Sequence, residues 1–265
     1  MINQKITIIG GGNIGGSIAL GLLKSEQILP SALTVSDRMQ SILDKFQAKG
    51  VQTSSDNKDA CQNSDIIILA IKPYQVQTII EEIKPVLSSD KIVISIAAGI
   101  GLPSLEEWVD GKSQVFRVMP NTAIAIQESM TLISTNVKTE ETRNLVLHIF
   151  DQLGKAIIIT EELMASATVL ASCGIAFALR YMRAAMQGGI EIGFSSEMAQ
   201  FITAQTVKGA TELILESGRH PEQEIDKVTT PRGITITGLN EMEHQGFSSS
   251  LIQGLVASFN KIEKG

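Results

Sequence analysis

The chain has 265 residues, of which 43% are hydrophobic, 19% charged and 4% aromatic, and its formal net charge is −6. This composition suffices for a sizeable core and excludes a disordered chain. The acidic balance, with no Lys/Arg cluster, argues against a nucleic-acid partner. Cys61 and Cys173 lie far apart without metal-ligand spacing, so they read as reduced thiols of a cytoplasmic protein, and no metal site is expected.

The first element is a strand, Lys5–Gly10, and not a signal peptide, because only a short apolar run separates Lys5 from the glycines. It leads into Gly10-Gly11-Gly12-Asn13-Ile14-Gly15 and a helical pattern over Ile14–Ser25. Gly10, Gly12 and Gly15 fit G-x-G-x-x-G between a strand and a helix, the setting in which that pattern binds a dinucleotide. Gly10 permits the tight turn, Gly12 lets backbone N–H groups approach a pyrophosphate, and Gly15 lets the helix pack closely on the strand. The helix start at Asn13 and Ile14 supplies unpaired donors and partial positive charge. Both flanks favour this reading over a plain glycine-rich turn.

The second strand, Leu33–Asp37, carries Ser36 and Asp37 at its end, and Arg38 follows it. Asp37 lies 22 positions beyond Gly15, near where an acidic residue holds the ribose hydroxyls of NAD. Ser36 and Arg38 instead suit a 2′-phosphate, Arg38 through a charge-assisted pair. Arg38 also reads as a solvated residue of the next helix. The two signals conflict; NADPH is the expected cofactor, with NADH as the alternative.

Strands at Asp65–Ile71, Lys91–Ile96, Gln114–Val118, Met130–Ser134 and Ala156–Ile159 then alternate with helices at Met39–Lys49, Tyr74–Leu87, Leu102–Val109 and Thr139–Leu153, as in a doubly wound sheet. The unbroken apolar run Ile66–Ile71 is what a central parallel strand, covered on both faces, requires. From Glu161 onward long helical patterns dominate: Glu162–Met186, Ser196–Ser217, Gly233–Gln245 and Ser248–Lys264. The expected fold class is therefore α/β, a Rossmann-type dinucleotide-binding domain over 1–160 followed by an all-α domain over 161–265. The uncharged stretch Leu163–Leu179 approaches the roughly 17–25 residues of a membrane span. Its Ala, Ser, Thr, Cys and Gly content suits helix–helix packing, so it reads as a buried core helix, within the chain or at a subunit interface, rather than a membrane span. A helical domain this small is expected to complete its core with a second copy of the chain.

Four further stretches fall where strand ends meet loops or before a late helix: Ala70-Ile71-Lys72-Pro73, Ser95–Ile100, Arg117-Val118-Met119-Pro120-Asn121-Thr122, and Thr229-Thr230-Pro231-Arg232-Gly233-Ile234-Thr235. With the N-terminal glycines, in this order and spacing, the chain resembles the pyrroline-5-carboxylate reductase family over essentially its whole length. The resemblance implies a Rossmann domain followed by a helical dimerisation domain, in a homodimer or a larger assembly of dimers. It places the active site between the nucleotide domain of one subunit and helices near the dimer interface. It also implies NAD(P)H-dependent reduction of the small molecule 1-pyrroline-5-carboxylate to L-proline, the last step of proline biosynthesis.

That chemistry needs no metal. It needs a carboxylate anchor, a hydrogen-bonding group at the imine nitrogen and alignment with the nicotinamide. Thr230-Pro231 reads as an N-cap followed by proline at the first helical position, so a helix is expected to start there. Free N–H groups around Gly233, Ile234 and Thr235 would then bind the carboxylate. The resemblance makes Thr235 the residue whose hydroxyl contacts the ring nitrogen; on its own, Thr235 reads as a helix residue bonding its own backbone. Lys72 either lies on the nicotinamide side, with the backbone of Ala70, or merely ends a strand. Asn121 is either a turn residue or a polar group facing the nicotinamide end of the cofactor.

The chain departs from the family in two places. Ala171-Ser172-Cys173-Gly174-Ile175-Ala176 stands where the family carries Ser-Gly-Ser-Gly-Pro-Ala, which predicts a straighter helix. Arg232 stands where the family has the first glycine of Pro-Gly-Gly, and either adds a cation beside the carboxylate site or obstructs it. These departures keep two alternatives open: a reductase of another small imine or oxo acid, and a catalytically weak dinucleotide-binding regulatory protein.

Overall fold

The computed structural model describes residues 1–263, which pack as two units, Met1–Ser172 and Cys173 onward. The first unit carries eight strands: β1 (Ile6–Ile9), β2 (Leu33–Ser36), β3 (Gln52–Ser54), β4 (Ile66–Leu69), β5 (Ile92–Ser95), β6 (Gln114–Met119), β7 (Ser129–Ser134) and β8 (Gly154–Ile158). Its helices are α1 (Asn13–Lys24), α2 (Gln40–Gln47), α3 (Asn57–Gln62), α4 (Val76–Ile83), α5 (Leu102–Val109), α6 (Glu140–Asp151) and α7 (Met164–Thr168). The second unit is helical throughout its described residues, with α8 (Gly174–Glu191), α9 (Ser196–Ser217), α10 (Pro221–Lys227), α11 (Ile234–His244) and α12 (Phe247–Glu263).

The strands form one sheet in the order β3-β2-β1-β4-β5-β6-β7-β8, parallel except where β7 runs antiparallel to β6. β4 shows why helices lie on both faces. Ile66 and Ile68 belong to a core shared with Ile18 and Leu22 of α1, Phe46 of α2 and Phe150 of α6. Ile67 and Leu69, one step along, belong to a second core with Val76 and Ile80 of α4 and Leu105 of α5. Side chains alternate faces along a strand, so an all-apolar strand must be covered twice. Each such buried side chain contributes roughly 1.5–3 kcal/mol. The α/β, doubly wound fold expected from the sequence is the observed one.

The seven expected strands all form. The eighth, β3, was not expected, because Gln-Thr-Ser shows no apolar alternation; it becomes a strand by pairing with β2, Thr34 opposite Gln52 and Ser36 opposite Ser54. The short α3 was also missed, although Asp56 caps it by accepting a hydrogen bond from the Asp59 N–H at 2.9 Å.

Packing divides the chain after Ser172, beyond the expected boundary at 160. Met164 is buried against Met119 and Leu132, and Glu161 pairs with Arg117 at 2.5 Å while its Oε1 accepts the Leu102 N–H at 3.0 Å. The segment after 160 is thereby fastened to the sheet and to the start of α5.

The expected single helix Glu162–Met186 is interrupted. A 3₁₀ turn at Glu161–Leu163 and the short α7 lead into a π-helical turn, Val169–Cys173, before α8 begins. The straighter helix predicted from the missing proline does not form. The carbonyl of Ala171 accepts a hydrogen bond from the Asn121 side-chain amide at 3.2 Å, and an outside donor of this kind widens the helical ladder without any proline.

Within the second unit α8 and α9 pack closely, Gly189 against Ala199, and Tyr181 meets the edge of Phe247 with ring centroids 6.3 Å apart. Ala199 is the single buried residue among the described residues of this unit. The apolar helix expected to be buried is not buried within its own chain: its most apolar window is 11% buried. Phe201 and Leu215 of α9 are 73% and 72% exposed.

Candidate active site

The strand order reverses direction across β1, with β2 on one side and β4 on the other, and the crevice beyond the carboxyl ends of these strands is where an open α/β sheet holds its ligand. Gly10 ends β1 with φ +97°, and a Cβ there would strike the Ala70 carbonyl at the end of β4. A Cβ on Gly15 would run into the Gly10 carbonyl and come within 2.7 Å of the Ala70 Cβ. Both glycines are thus demanded by the close approach of α1 to the two strand ends. Gly12 differs: it is the N-cap of α1, and a Cβ on it would meet nothing within 4 Å. Gly12, Asn13 and Ile14 are exposed, and their N–H groups lie at the helix start, where no intrahelical acceptor exists. This open surface with its unpaired donors fits a dinucleotide pyrophosphate.

Asp37, just past β2, turns its carboxylate back to this loop. Oδ2 accepts the Gly11 N–H at 2.8 Å and Oδ1 accepts the Met39 N–H at 2.9 Å. Arg38 is exposed and forms no ion pair among the described residues. Ser36 is not available as expected: it is fully buried, and its hydroxyl donates to Asn57 Oδ1 at 2.8 Å. Strand alternation turns Ser36 into the core beneath α3. Ala70 donates its N–H to Ile9 at 2.8 Å and lies beside the turn, and Lys72 is exposed just beyond it. Asn121 is 7% exposed with both ends of its amide engaged, Oδ1 with the Ala123 N–H at 3.1 Å and Nδ2 with Ala171. Of its two expected roles, the structure shows the turn residue.

The Thr230–Thr235 stretch belongs to the second unit. Its helix does not start at Thr230-Pro231. Arg232 adopts φ +62°, the Gly233 N–H closes a turn onto the Thr230 carbonyl at 2.9 Å, and α11 begins at Ile234 with Gly233 as its N-cap. A proline followed by a residue at positive φ makes a type II turn rather than a helical first turn. The Gly233 N–H, expected to be free for an anion, is therefore spent on that turn. A Cβ at Gly233 would lie 2.6 Å from Thr230 Oγ1, which accounts for the glycine. Ile234 and Thr235 keep first-turn N–H groups, Ile234 is 92% exposed, and the Thr235 hydroxyl makes no hydrogen bond among the described residues. Thr237, by contrast, bonds back to the Gly233 carbonyl at 3.1 Å.

Other titratable groups lie away from these sites. Burial pushes the Cys61 thiol up to about 12, against the opposing pull of the Lys91 cation. Lys91 donates to the carbonyls of Cys61, Gln62 and Ser64 at 2.9, 3.1 and 2.6 Å, capping the end of α3. No group of His, Cys, Asp and Glu able to hold a metal exists among the described residues. His220 caps α10, its Nδ1 accepting the Glu222 N–H at 3.3 Å.

Comparison with known proteins places these features in a family. Residues 161–264 match the family model described as pyrroline-5-carboxylate reductase dimerisation, and residues 5–99 match that of NADP oxidoreductase, coenzyme F420-dependent. Pyrroline-5-carboxylate reductase 2 of Dictyostelium discoideum is 40% identical over 99% of this chain and 93% of its own length. The chain belongs to the pyrroline-5-carboxylate reductase family. It spans 50% of the length of the same organism's reductase 1, also 40% identical over 98% of this chain. Among solved structures, the Coxiella burnetii pyrroline-5-carboxylate reductase superposes with a TM-score of 0.93 at 31% identity, covering 98% of each chain. The Plasmodium falciparum pyrroline carboxylate reductase, solved with NADP bound, superposes with a TM-score of 0.87 at 28% identity, over 100% of this chain and 98% of that one. Membership in the family makes the chain an oxidoreductase that uses NAD(P)H, and its dimerisation domain indicates homo-oligomerisation.

Two features escaped the sequence. The Arg117–Glu161 pair joins residues 44 apart, leaves Arg117 Nε and Glu161 Oε2 buried without partners, and had no local signal. The spacing of Asp37 was visible, but its tie to the Gly11 N–H depends on how the turn folds back on β2.

Proposed function

We propose that this chain reduces 1-pyrroline-5-carboxylate to L-proline with NAD(P)H, and that Thr235 is its catalytic residue. The observation that carries the role of Thr235 is its free hydroxyl in the exposed first turn of α11, beside unpaired N–H groups. The Ile234 and Thr235 N–H groups, with Thr230 and Gly233 shaping the turn before them, anchor the substrate carboxylate. The Thr235 hydroxyl hydrogen-bonds the ring nitrogen and fixes the angle of the C=N bond. In the first unit the Gly12, Asn13 and Ile14 N–H groups hold the pyrophosphate against Gly10 and Gly15. Ala70, Lys72 and Asn121 border the nicotinamide side, Asn121 by holding its loop. When bound, NAD(P)H supplies the hydride, and the ring nitrogen ends as the amine of proline.

The apolar faces of the helical unit suit a homodimer, alone or within a larger assembly. Composition suits a soluble cytoplasmic enzyme of a small molecule, with neither nucleic acid nor membrane as partner. The test is cofactor oxidation with pyrroline-5-carboxylate by wild type, Thr235→Ala and Thr235→Ser. A hydrogen bond to a charged group is worth about 1.5–3 kcal/mol, so Thr235→Ala should lower kcat/KM by roughly ten- to a hundredfold at unchanged Tm, and Thr235→Ser should keep most activity. An Ala variant as active as wild type removes Thr235 from the mechanism.

A further inference from the structure

The geometry points to a second ligand site in the first unit, a cavity at the β2–β3 edge of the sheet that takes a small polar amino acid in its zwitterionic form. The cavity follows from how α3 covers that edge. Thr7, Thr34 and Gln52 stand opposite one another on β1, β2 and β3, so their side chains share one face of the sheet. Thr7 meets α3, donating its hydroxyl to the Ala60 carbonyl at 2.9 Å, and Ser36, two residues beyond Thr34, donates to Asn57. α3 is only six residues long, and it leaves this face open at Thr34 and Gln52. The space that remains is about 300 Å³, at the small end of ligand sites.

Only two of the eleven lining residues, Ala32 and Ala60, are apolar, which excludes a lipid or an aromatic ligand. The buried Ser64 hydroxyl in the lining is already satisfied by Thr7 and the Ala60 carbonyl. The more exposed groups are not. The side chains of Ser31, Thr34, Gln52 and Asn63 make no hydrogen bond, and Lys5 makes no ion pair, among the described residues. Asp59 accepts a single side-chain bond, from the Ser54 hydroxyl to Oδ2 at 3.3 Å, and its Oδ1 has no partner among the described residues. The lining thus holds one cation and one anion that do not pair with each other, among neutral donors and acceptors. A ligand of one sign would meet a like charge as well as an opposite one. A zwitterion sets its carboxylate toward Lys5 and its ammonium toward Asp59, and the hydroxyls and amides complete its hydrogen bonds. Lys5 and Asp59 are both exposed, so solvent screens them and the affinity is modest. None of the residues proposed to hold the cofactor or the substrate lines the cavity.

The test titrates L-serine into the full-length protein and follows binding by NMR and by Tm. One site per chain, a Kd on the order of 1 mM and a Tm that rises with ligand are expected. Lys5→Met and Asp59→Asn should each weaken binding roughly fivefold or more while cofactor binding and turnover stay at the wild-type level. Thr235→Ala should bind serine as wild type does, which separates this site from that of the substrate. Two probes on wild type need no variant and decide the matter even if a variant fails to fold. L-serinamide lacks the carboxylate and L-glycerate lacks the ammonium, and each should bind roughly fivefold or more weakly than serine. Absence of saturable serine binding overturns the proposal, as does either analogue binding as tightly as serine. Affinity unchanged in Lys5→Met or in Asp59→Asn, or lost in Thr235→Ala, overturns it as well.

Discussion

The two units of this chain solve the problem of burying apolar surface in opposite ways. In the first, a sheet covered on both faces encloses every side chain of β1, β4 and β5. In the second, five helices bury one residue among those described, and Phe201, Leu215 and Ile234 stand largely in solvent. A closed core belongs to a unit that is complete in one copy. An apolar helical surface of this extent marks a unit finished by association, as its match to a dimerisation family indicates.

The contrast can be broken most directly in the sheet. Phe116, fully buried in the larger core, should cost about 3–5 kcal/mol when changed to alanine, and denaturant unfolding should give the same loss at dilute and concentrated protein. The helical unit should respond differently. Phe201→Glu places a charge on an apolar face, and the loss of a Phe that becomes buried only on association, about 1.5–3 kcal/mol, should appear as weaker self-association in sedimentation while NAD(P)H binding persists. Unchanged mass would mean that this part of α9 is not an interface.

The closed core also has a pH signature. The Cys61 thiol titrates near 9.0 when unfolded and near 12 when folded, so the native state keeps it neutral while the unfolded chain ionises. Its contribution is fully present below pH 9 and is lost as pH rises toward 12. Between these limits wild type should lose stability more steeply than Cys61→Ala, by about 1.4 kcal/mol per pH unit. The smallest effect expected is at the turn before α11. Arg232 holds a positive φ that glycine adopts without strain, so Arg232→Gly should raise stability by roughly 1 kcal/mol, read as a higher Tm. A lower Tm would show that the arginine side chain offsets its own backbone strain.

The legible parts of this molecule were those whose cause is local. The glycine turn, the alternating strands and the change to helices after residue 160 all follow from steric freedom at glycine and from the spacing of apolar side chains. The illegible parts depended on partners distant in sequence. β3 exists because β2 lies beside it. The π-helical turn at Val169–Cys173 goes with the Asn121 side chain that reaches the Ala171 carbonyl. α11 starts at Ile234, as the Gly233–Gln245 pattern implies, and not at the Thr230-Pro231 cap, where Arg232 takes a positive φ that its residue type disfavours.

The sequence by itself therefore determined the layers, the dinucleotide turn and the family resemblance, since each rests on residue types at short, regular spacing. Only the tertiary structure decided which polar groups remain free to meet a ligand. It withdrew Ser36 into the core, spent the Gly233 N–H on a turn, engaged both ends of the Asn121 amide, pinned Asp37 to Gly11 and left the Thr235 hydroxyl without a partner. A donor or acceptor is available only when no nearer group satisfies it, and nearness is set by the fold.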